Sequence, residues 1–183
     1  PIAGKTIVVV GTGNLGGAMI CLLAPLGPKI IGVNRKGGAV DGCSKVITVD
    51  KIDSILPEAD ILYLAMPETP GTKNIISRKR LDLLKPSCGI VNIGRQSTMD
   101  YDALCEKLRA NKIAGAILDV FSPEPIELNS KLWEVPNLII TPHVSADDGE
   151  SYTRLTLDLF IKNLQLFISN KKLINQIDKD FGY

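Results

Sequence analysis

Ile7-Val8-Val9-Val10-Gly11-Thr12-Gly13-Asn14-Leu15-Gly16 is the stretch on which the fold turns. Its first four residues are all β-branched and show no polar alternation, which suits a strand covered on both faces. The apolar pattern from Leu15 to Leu26 then predicts a helix. Between them lies a G-x-G-x-x-G turn. Gly11 permits the tight bend, Gly13 leaves room for a pyrophosphate, and Gly16 lets helix and strand approach closely. The amides around Asn14 and Leu15 open the helix toward an anion. Alone the pattern is a common glycine turn without a ligand; strand before and helix after make it a dinucleotide signature.

The same alternation continues outward. Short apolar runs occur at Lys29 to Val33, Val46 to Val49, Ile61 to Leu64, Gly89 to Ile93, Ile113 to Leu118 and Leu138 to Ile140. Helix candidates lie between them at Ile52 to Leu56, Ser77 to Leu84 and Asp100 to Ala110, the last with Asp100 as its cap. Strands alternating with helices predict an α/β fold, a Rossmann-type doubly wound parallel sheet. The Pro-rich segment Phe121 to Glu134 reads as an ordered loop at the carboxyl ends of the strands, where such sheets place ligands. Leu155 to Ile168 reads as a buried helix. Leu155, Leu159, Phe160, Leu164 and Phe167 form one stripe, while Leu157, Ile161 and Ile168 lie off it and require a second cover, at the junction with a further domain or a partner subunit.

The second strand ends in Val33-Asn34-Arg35-Lys36. A carboxylate at that point would accept the ribose hydroxyls of NAD. Asn34 removes the charge that would repel a 2′-phosphate, and Arg35 and Lys36 can make charged bonds to one. NADP is therefore favoured, with NAD the alternative; the plainer reading is a solvated basic loop.

Bulk properties narrow the partners. The chain has 183 residues, 45% hydrophobic and 22% charged, within the range of one globular domain. A net charge of +1 with dispersed basic residues leaves no footprint for nucleic acid or an anionic membrane. Leu155 to Ile168 is interrupted by Asp158, Lys162, Asn163 and Gln165, unlike a membrane span. Four scattered cysteines and one histidine suggest neither a zinc site nor a disulfide framework, which fits a reducing cytoplasm. A small molecule is the implied partner.

Three polar residues stand at or near strand ends: Arg95, Glu124 and His143. Each alone is ordinary, since lone histidines are more often structural and loop charges are usually solvated. Together they hold what reduction of a 2-keto acid needs. His143 can supply the proton, Glu124 can orient the imidazole and favour its charged form, and Arg95 can grip a carboxylate as a fork.

These residues lie in blocks that resemble the cofactor-binding domain of the D-isomer-specific 2-hydroxyacid dehydrogenases. The blocks are Gly4-Lys5-Thr6, Gly11 to Gly16, Ala65-Met66-Pro67-Glu68-Thr69, Val91-Asn92-Ile93-Gly94-Arg95, Leu118-Asp119-Val120-Phe121, Glu124-Pro125, Leu132-Trp133, Pro136-Asn137 and Thr141-Pro142-His143. The resemblance implies that Arg95, Glu124 and His143 are the family's catalytic arginine, acid and histidine. It implies that Asp119 holds the nicotinamide amide and that Met66, Pro67 and Thr72 pass the adenosine and pyrophosphate. Ile93, Gly94 and Ser145 would lie near the nicotinamide. The basic Asn34-Arg35-Lys36 looks like the glyoxylate or hydroxypyruvate reductase branch, which often uses NADPH. Family members commonly dimerise through this domain, so a homodimer is implied.

Two features depart from the family. Gln96 follows the arginine where glycine is usual, and the family's substrate domain is missing around residues 1–183, read here as one NAD(P)-binding domain. The resemblance also reaches corepressors that bind NAD(H) and act by protein contacts, so a nucleotide-sensing interaction module is the alternative to an enzyme. Formate and phosphite dehydrogenases share the resembled fold and stay open. Short-chain dehydrogenases do not fit, because none of Tyr63, Tyr101 and Tyr152 has a lysine four residues on.

Overall fold

The computed structural model describes residues 1–179, so the expected domain end at Tyr183 lies outside the described residues. The chain forms two compact units, 1–142 and 143–183.

The first unit is built on a seven-stranded sheet in the order β3-β2-β1-β4-β5-β6-β7. Its strands are β1 (Thr6–Val10), β2 (Lys29–Asn34), β3 (Lys45–Thr48), β4 (Ile61–Leu64), β5 (Gly89–Asn92), β6 (Gly115–Leu118) and β7 (Leu138–Ile140). Every pairing is parallel. The strand order reverses at β1, so the carboxyl ends of β1 and β4 flank the crevice where an open α/β sheet takes its ligand. The doubly wound Rossmann-type sheet expected from the sequence is the fold observed.

Side chains alternate between two cores, as the period of a strand requires. Ile7 and Val9 of β1 join Ile30 and Tyr63 beneath Ile20 of helix α1 (Asn14–Leu23). Val8 and Val10 join Ile31, Val33, Leu62, Leu64, Ile90 and Leu118 in a larger cluster on the other face. Leu81 of helix α2 (Arg78–Asp82) and Leu104 and Leu108 of helix α3 (Tyr101–Arg109) close that cluster. Asp100 caps α3 as its sequence predicts, accepting from the Ala103 N–H at 2.9 Å.

The two faces are not covered equally along their length. In register, Val9, Tyr63, Val91, Ile117 and Ile139 form one row across the sheet. Exposure along it rises from 0% at Val9 and 7% at Tyr63 to 39% at Ile117 and 57% at Ile139.

Three helices expected from sequence are shorter or altered: the one expected at Leu15 to Leu26 ends as α-helix at Leu23 and finishes in a 3₁₀ turn at Ala24–Leu26, where Pro25 supplies no N–H. Ile52 to Leu56 is not a helix; Val49–Ser54 and Leu56–Glu58 are 3₁₀ turns. The Ser54 hydroxyl donates to the Lys51 carbonyl at 2.7 Å, and Pro57 lacks the N–H a helix would use. Ser77 to Leu84 contracts to α2. Phe121 to Glu134 is irregular, with one 3₁₀ turn at Lys131–Glu134.

The second unit is dominated by helix α4 (Tyr152–Ile168). Against the expectation of a buried helix, none of its residues is buried. Leu157 is 54% exposed and Ile161 51%. The least exposed positions are Leu159, Asn163 and Leu166, a stripe at helical spacing. The reason is local: Asn163 accepts from the Ile174 N–H at 2.8 Å and donates to the Ile174 carbonyl at 3.1 Å, clamping the following segment to that side. No described helix is long and apolar enough to cross a membrane.

Candidate functional site

The glycine turn at the end of β1 is set by backbone contacts. Gly11 has φ +92°, and a β-carbon there would come 2.9 Å from the Met66 nitrogen, so only glycine fits this left-handed turn. A β-carbon on Gly16 would meet the Gly11 carbonyl oxygen at 1.8 Å. Gly13, by contrast, has nothing within 4 Å of such an atom. It is the N-cap of α1, which has no side-chain cap and no acidic residue in its first turn. An open cradle over uncapped helix amides, with Asn14 and Leu15 at the helix start, fits a dinucleotide pyrophosphate.

Asn34, at the tip of β2, is used structurally. Its Oδ1 accepts from the Lys36 N–H at 3.1 Å and the Gly37 N–H at 2.7 Å, and its Nδ2 donates to Thr12 Oγ1 at 3.0 Å. The side chain thus folds the tip into a turn, ties it to the glycine loop and leaves Arg35 and Lys36 on the exposed rim. Thr12 was not singled out by sequence; nothing in its local pattern announces a partner 22 residues away.

Beyond β4, Met66 is 4% exposed while Pro67 lies at the surface. The Thr72 hydroxyl accepts from the Thr69 N–H at 2.8 Å and donates to the Pro67 carbonyl at 2.7 Å, closing this loop on itself. Gly94 packs against the loop, since a β-carbon there would lie 2.6 Å from the Met66 carbonyl oxygen. Asn74 N–H donates to the Ser97 carbonyl at 2.7 Å and Ile76 N–H to the Thr98 carbonyl at 2.9 Å, so the loop is continuous with the turn that carries Arg95.

Arg95 follows β5 by three residues. Its backbone carbonyl accepts from Thr98 Oγ1 at 2.6 Å and Asn92 Nδ2 at 3.2 Å, and its guanidinium donates to the Gly94 carbonyl at 2.7 Å. Ile93 precedes this turn and donates its N–H to the Leu64 carbonyl at 3.0 Å. Just past the end of the neighbouring strand β6, Asp119 is 1% exposed and accepts from Thr141 Oγ1 at 2.5 Å. Glu124 accepts from the Phe121 N–H at 2.6 Å. Arg95, Asp119 and Glu124 are therefore carried past the carboxyl ends of β5 and β6, on the edge of the sheet that the glycine turn occupies at β1.

His143 and Ser145 open the second unit and are exposed. His143 has φ +58°, a left-handed conformation that few residues other than glycine adopt and that recurs at functional sites. Gln96 lines a shallow pocket with Phe121, Ser122, Pro123, Ile126, Glu127, Ser130 and Leu132, so the side chain standing where the family's glycine is usual faces the Glu124 loop. Among the described residues there is no group of three or more side chains suited to a metal. Sequence reading missed Asn92 and Tyr101, joined at 3.2 Å. The only hint of them is a polar residue closing an apolar strand.

Residues 1–145 match the NAD-binding domain of the D-isomer specific 2-hydroxyacid dehydrogenases. An uncharacterised protein of Corynebacterium melassecola is 36% identical over 179 residues, which is 98% of this chain and 59% of that protein. Glyoxylate/hydroxypyruvate reductase B of Pectobacterium carotovorum is 35% identical over 150 residues, 80% of this chain and 46% of the reductase. The crystal structure of an NADPH-dependent glyoxylate/hydroxypyruvate reductase from Sinorhizobium meliloti, with NADP and sulfate, superposes with a TM-score of 0.89 at 29% identity. That superposition covers 98% of this chain and 57% of the reductase. The chain thus spans roughly half the length of these relatives. With the glycine turn, the parallel sheet and the matched residues in place, the chain belongs to the D-isomer specific 2-hydroxyacid dehydrogenase family, as its NAD-binding domain.

Proposed function

We propose that this chain is the cofactor-binding and catalytic half of an NADP-preferring reductase of small 2-keto acids, with NAD as the weaker cofactor. The observation that carries the reading is the placement of Arg95, Asp119 and Glu124 past the ends of β5 and β6, on the sheet edge that holds the open Gly13 cradle. Residues 1–183 act in it as one NAD(P)-binding domain, in a cytoplasmic homodimer.

The bound dinucleotide supplies the hydride, and the residues of the chain do the rest. Gly11, Gly13 and Gly16 shape the pyrophosphate seat with the amides of Asn14 and Leu15. The Asn34 turn presents Arg35 and Lys36 to the 2′-phosphate. Met66, Pro67 and Thr72 wall the adenosine side, and Ile93, Gly94, Asp119 and Ser145 the nicotinamide side. Arg95 grips the carboxylate of the acid in a fork and polarises its carbonyl. His143 gives a proton to the developing alkoxide, and Glu124 steadies the imidazolium.

The other reading is a nucleotide-sensing module that works through protein contacts; Gln96 favours it. Full-length protein assayed with NADPH on glyoxylate, hydroxypyruvate, pyruvate and phenylpyruvate decides. Turnover of at least one acid, absent in Arg95→Ala, is expected. Tight NADPH binding with no turnover on any of the four would favour the module.

A further inference from the structure

The proposed arginine and acid sit on two different loops, and one buried pair of side chains joins those loops. Asn92 is 0% exposed at the last position of β5. Its Oδ1 accepts from the Gly94 N–H at 3.0 Å. Its Nδ2 donates to the Arg95 carbonyl at 3.2 Å and to the Tyr101 hydroxyl, also at 3.2 Å. Tyr101, 6% exposed in the first turn of α3, passes the contact on. Its hydroxyl donates to the Val120 carbonyl at 2.9 Å, and its ring meets Phe121 edge to face at 6.3 Å. Phe121 in turn donates its N–H to the Glu124 carboxylate. A continuous path therefore runs from the Arg95 backbone through Asn92, Tyr101 and Val120 to Glu124.

The chemistry of the link favours a fixed spacer. Each polar atom on it has a partner, and buried networks satisfied in this way are stiff. Burial pushes the Tyr101 phenol above its ordinary range, so it stays neutral and keeps its proton to donate to Val120. Each loop also has bonds of its own, Thr98 Oγ1 to the Arg95 carbonyl and Phe121 N–H to Glu124. Removing the phenol hydroxyl leaves those intact, along with the bond from the Asp119 N–H to the Asn92 carbonyl at 3.0 Å, and cuts the side-chain hydrogen bonds that link the two loops.

Resting on the catalytic reading of Arg95 and Glu124 above, we propose that Tyr101, through Asn92, is a positioning residue that sets the spacing between the substrate-gripping arginine and the acid partner of the histidine. Misplacing the two loops relative to each other then loosens the grip on the keto acid and weakens support for the imidazolium together, a pairing that simple loss of packing would not produce. Phenylalanine keeps the ring volume and its contact with Phe121, so Tyr101→Phe isolates the hydroxyl.

The test uses full-length protein with NADPH and whichever of glyoxylate, hydroxypyruvate and pyruvate the wild type reduces fastest. Tyr101→Phe is expected to raise KM for the acid on the order of tenfold. The alkaline limb of the pH profile should move to lower pH, because the proton donor loses its charged form earlier. The dissociation constant of NADPH should stay within about twofold. An unchanged KM and pH profile in Tyr101→Phe overturns the proposal, and so does a lowered melting temperature with those two quantities unmoved. Arg95→Lys and His143→Gln assayed alongside separate the two levels. If both behave as wild type, the catalytic reading itself fails and the spacer with it; if both are impaired while Tyr101→Phe is not, only the spacer fails.

Discussion

A β-carbon on Gly16 would stand 1.8 Å from the carbonyl oxygen of Gly11, so the first turn of α1 and the end of β1 meet through bare backbone. Two glycines three residues apart, Gly13 and Gly16, thus have opposite tolerances. Gly16→Ala forces the helix off the strand and should destabilise the chain by about 2–4 kcal/mol, with dinucleotide binding lost alongside. Gly13→Ala has space for its methyl group, so the melting temperature should hold while dinucleotide affinity falls at least about tenfold. Thermal melts and calorimetric titration on the same two variants check this. A Gly13→Ala protein that binds as wild type would remove the pyrophosphate from that cradle.

Cofactor choice should follow charge at the β2 tip. A charged hydrogen bond contributes about 1.5–3 kcal/mol, so Arg35→Ala should weaken NADPH roughly tenfold or more and leave NADH nearly unchanged. Asn34→Asp can still accept from the Lys36 and Gly37 N–H groups, which preserves the turn, yet it adds a negative charge at the tip proposed to receive the 2′-phosphate. It should erase the NADPH preference. Equal affinity of the wild type for the two dinucleotides would contradict the assignment and leave the fold untouched.

The sheet was readable in the sequence because its strands are unbroken apolar runs, even at β6 and β7 where one face is partly open, and all seven were located to within a few residues. The glycine turn was readable for a related reason, since backbone approach excludes side chains and so fixes residue type. Helix lengths were less so: whether Val49 to Glu58 coils as α or 3₁₀ depends on a serine hydroxyl competing for one carbonyl. Asn92 showed only as a polar residue closing an apolar strand, and its bond to Tyr101 was not readable because it joins a strand end to a helix start. The apolar stripe of α4 was visible, but its orientation was decided by Asn163, a polar residue that hydropathy sets aside.

The proposed division of chemical labour predicts different kinetic signatures. In full-length protein, His143→Gln should lower kcat by about 10²–10⁴ with NADPH affinity little changed, since it removes the proton donor alone. Arg95→Lys should chiefly raise KM for the acid, because an ammonium cannot reproduce a planar fork. Steady-state kinetics with both substrates varied distinguishes the two. Wild-type rates in His143→Gln would refute the proton-donor role.

Asp60 should make the fold acid-sensitive. Its carboxylate accepts from the Thr6 N–H at 2.8 Å and pairs with Lys85 at 2.9 Å, binding the start of β1 to the segment before β5. The Lys85 bond, then that from Thr6, holds its ionisation below the usual carboxylate range. A group lowered in this way stabilises above its unfolded value and loses that contribution as pH falls through its folded one. Asp60→Asn should therefore lower stability by about 1 kcal/mol at neutral pH, the side chain being partly solvated. The gap between wild type and variant should begin to shrink below about pH 4, as pH falls toward the lowered folded value. Urea melts at pH 7 and pH 3 read both numbers, and an equal gap at both would count against the carboxylate.

The uneven cover along the row from Val9 to Ile139 also sets an order of opening. β1 is paired on both sides and sealed above and below, whereas β7 is a three-residue edge strand whose Ile139 is more than half exposed. Amide protons at Ile139 and Ile140 should exchange with deuterated solvent through local fraying, those of β6 more slowly, and those of Val8 and Val9 only when the whole sheet unfolds. The molecule is thus a graded solid, firm at the strand that bears the nucleotide turn and progressively looser toward the strand leading to His143.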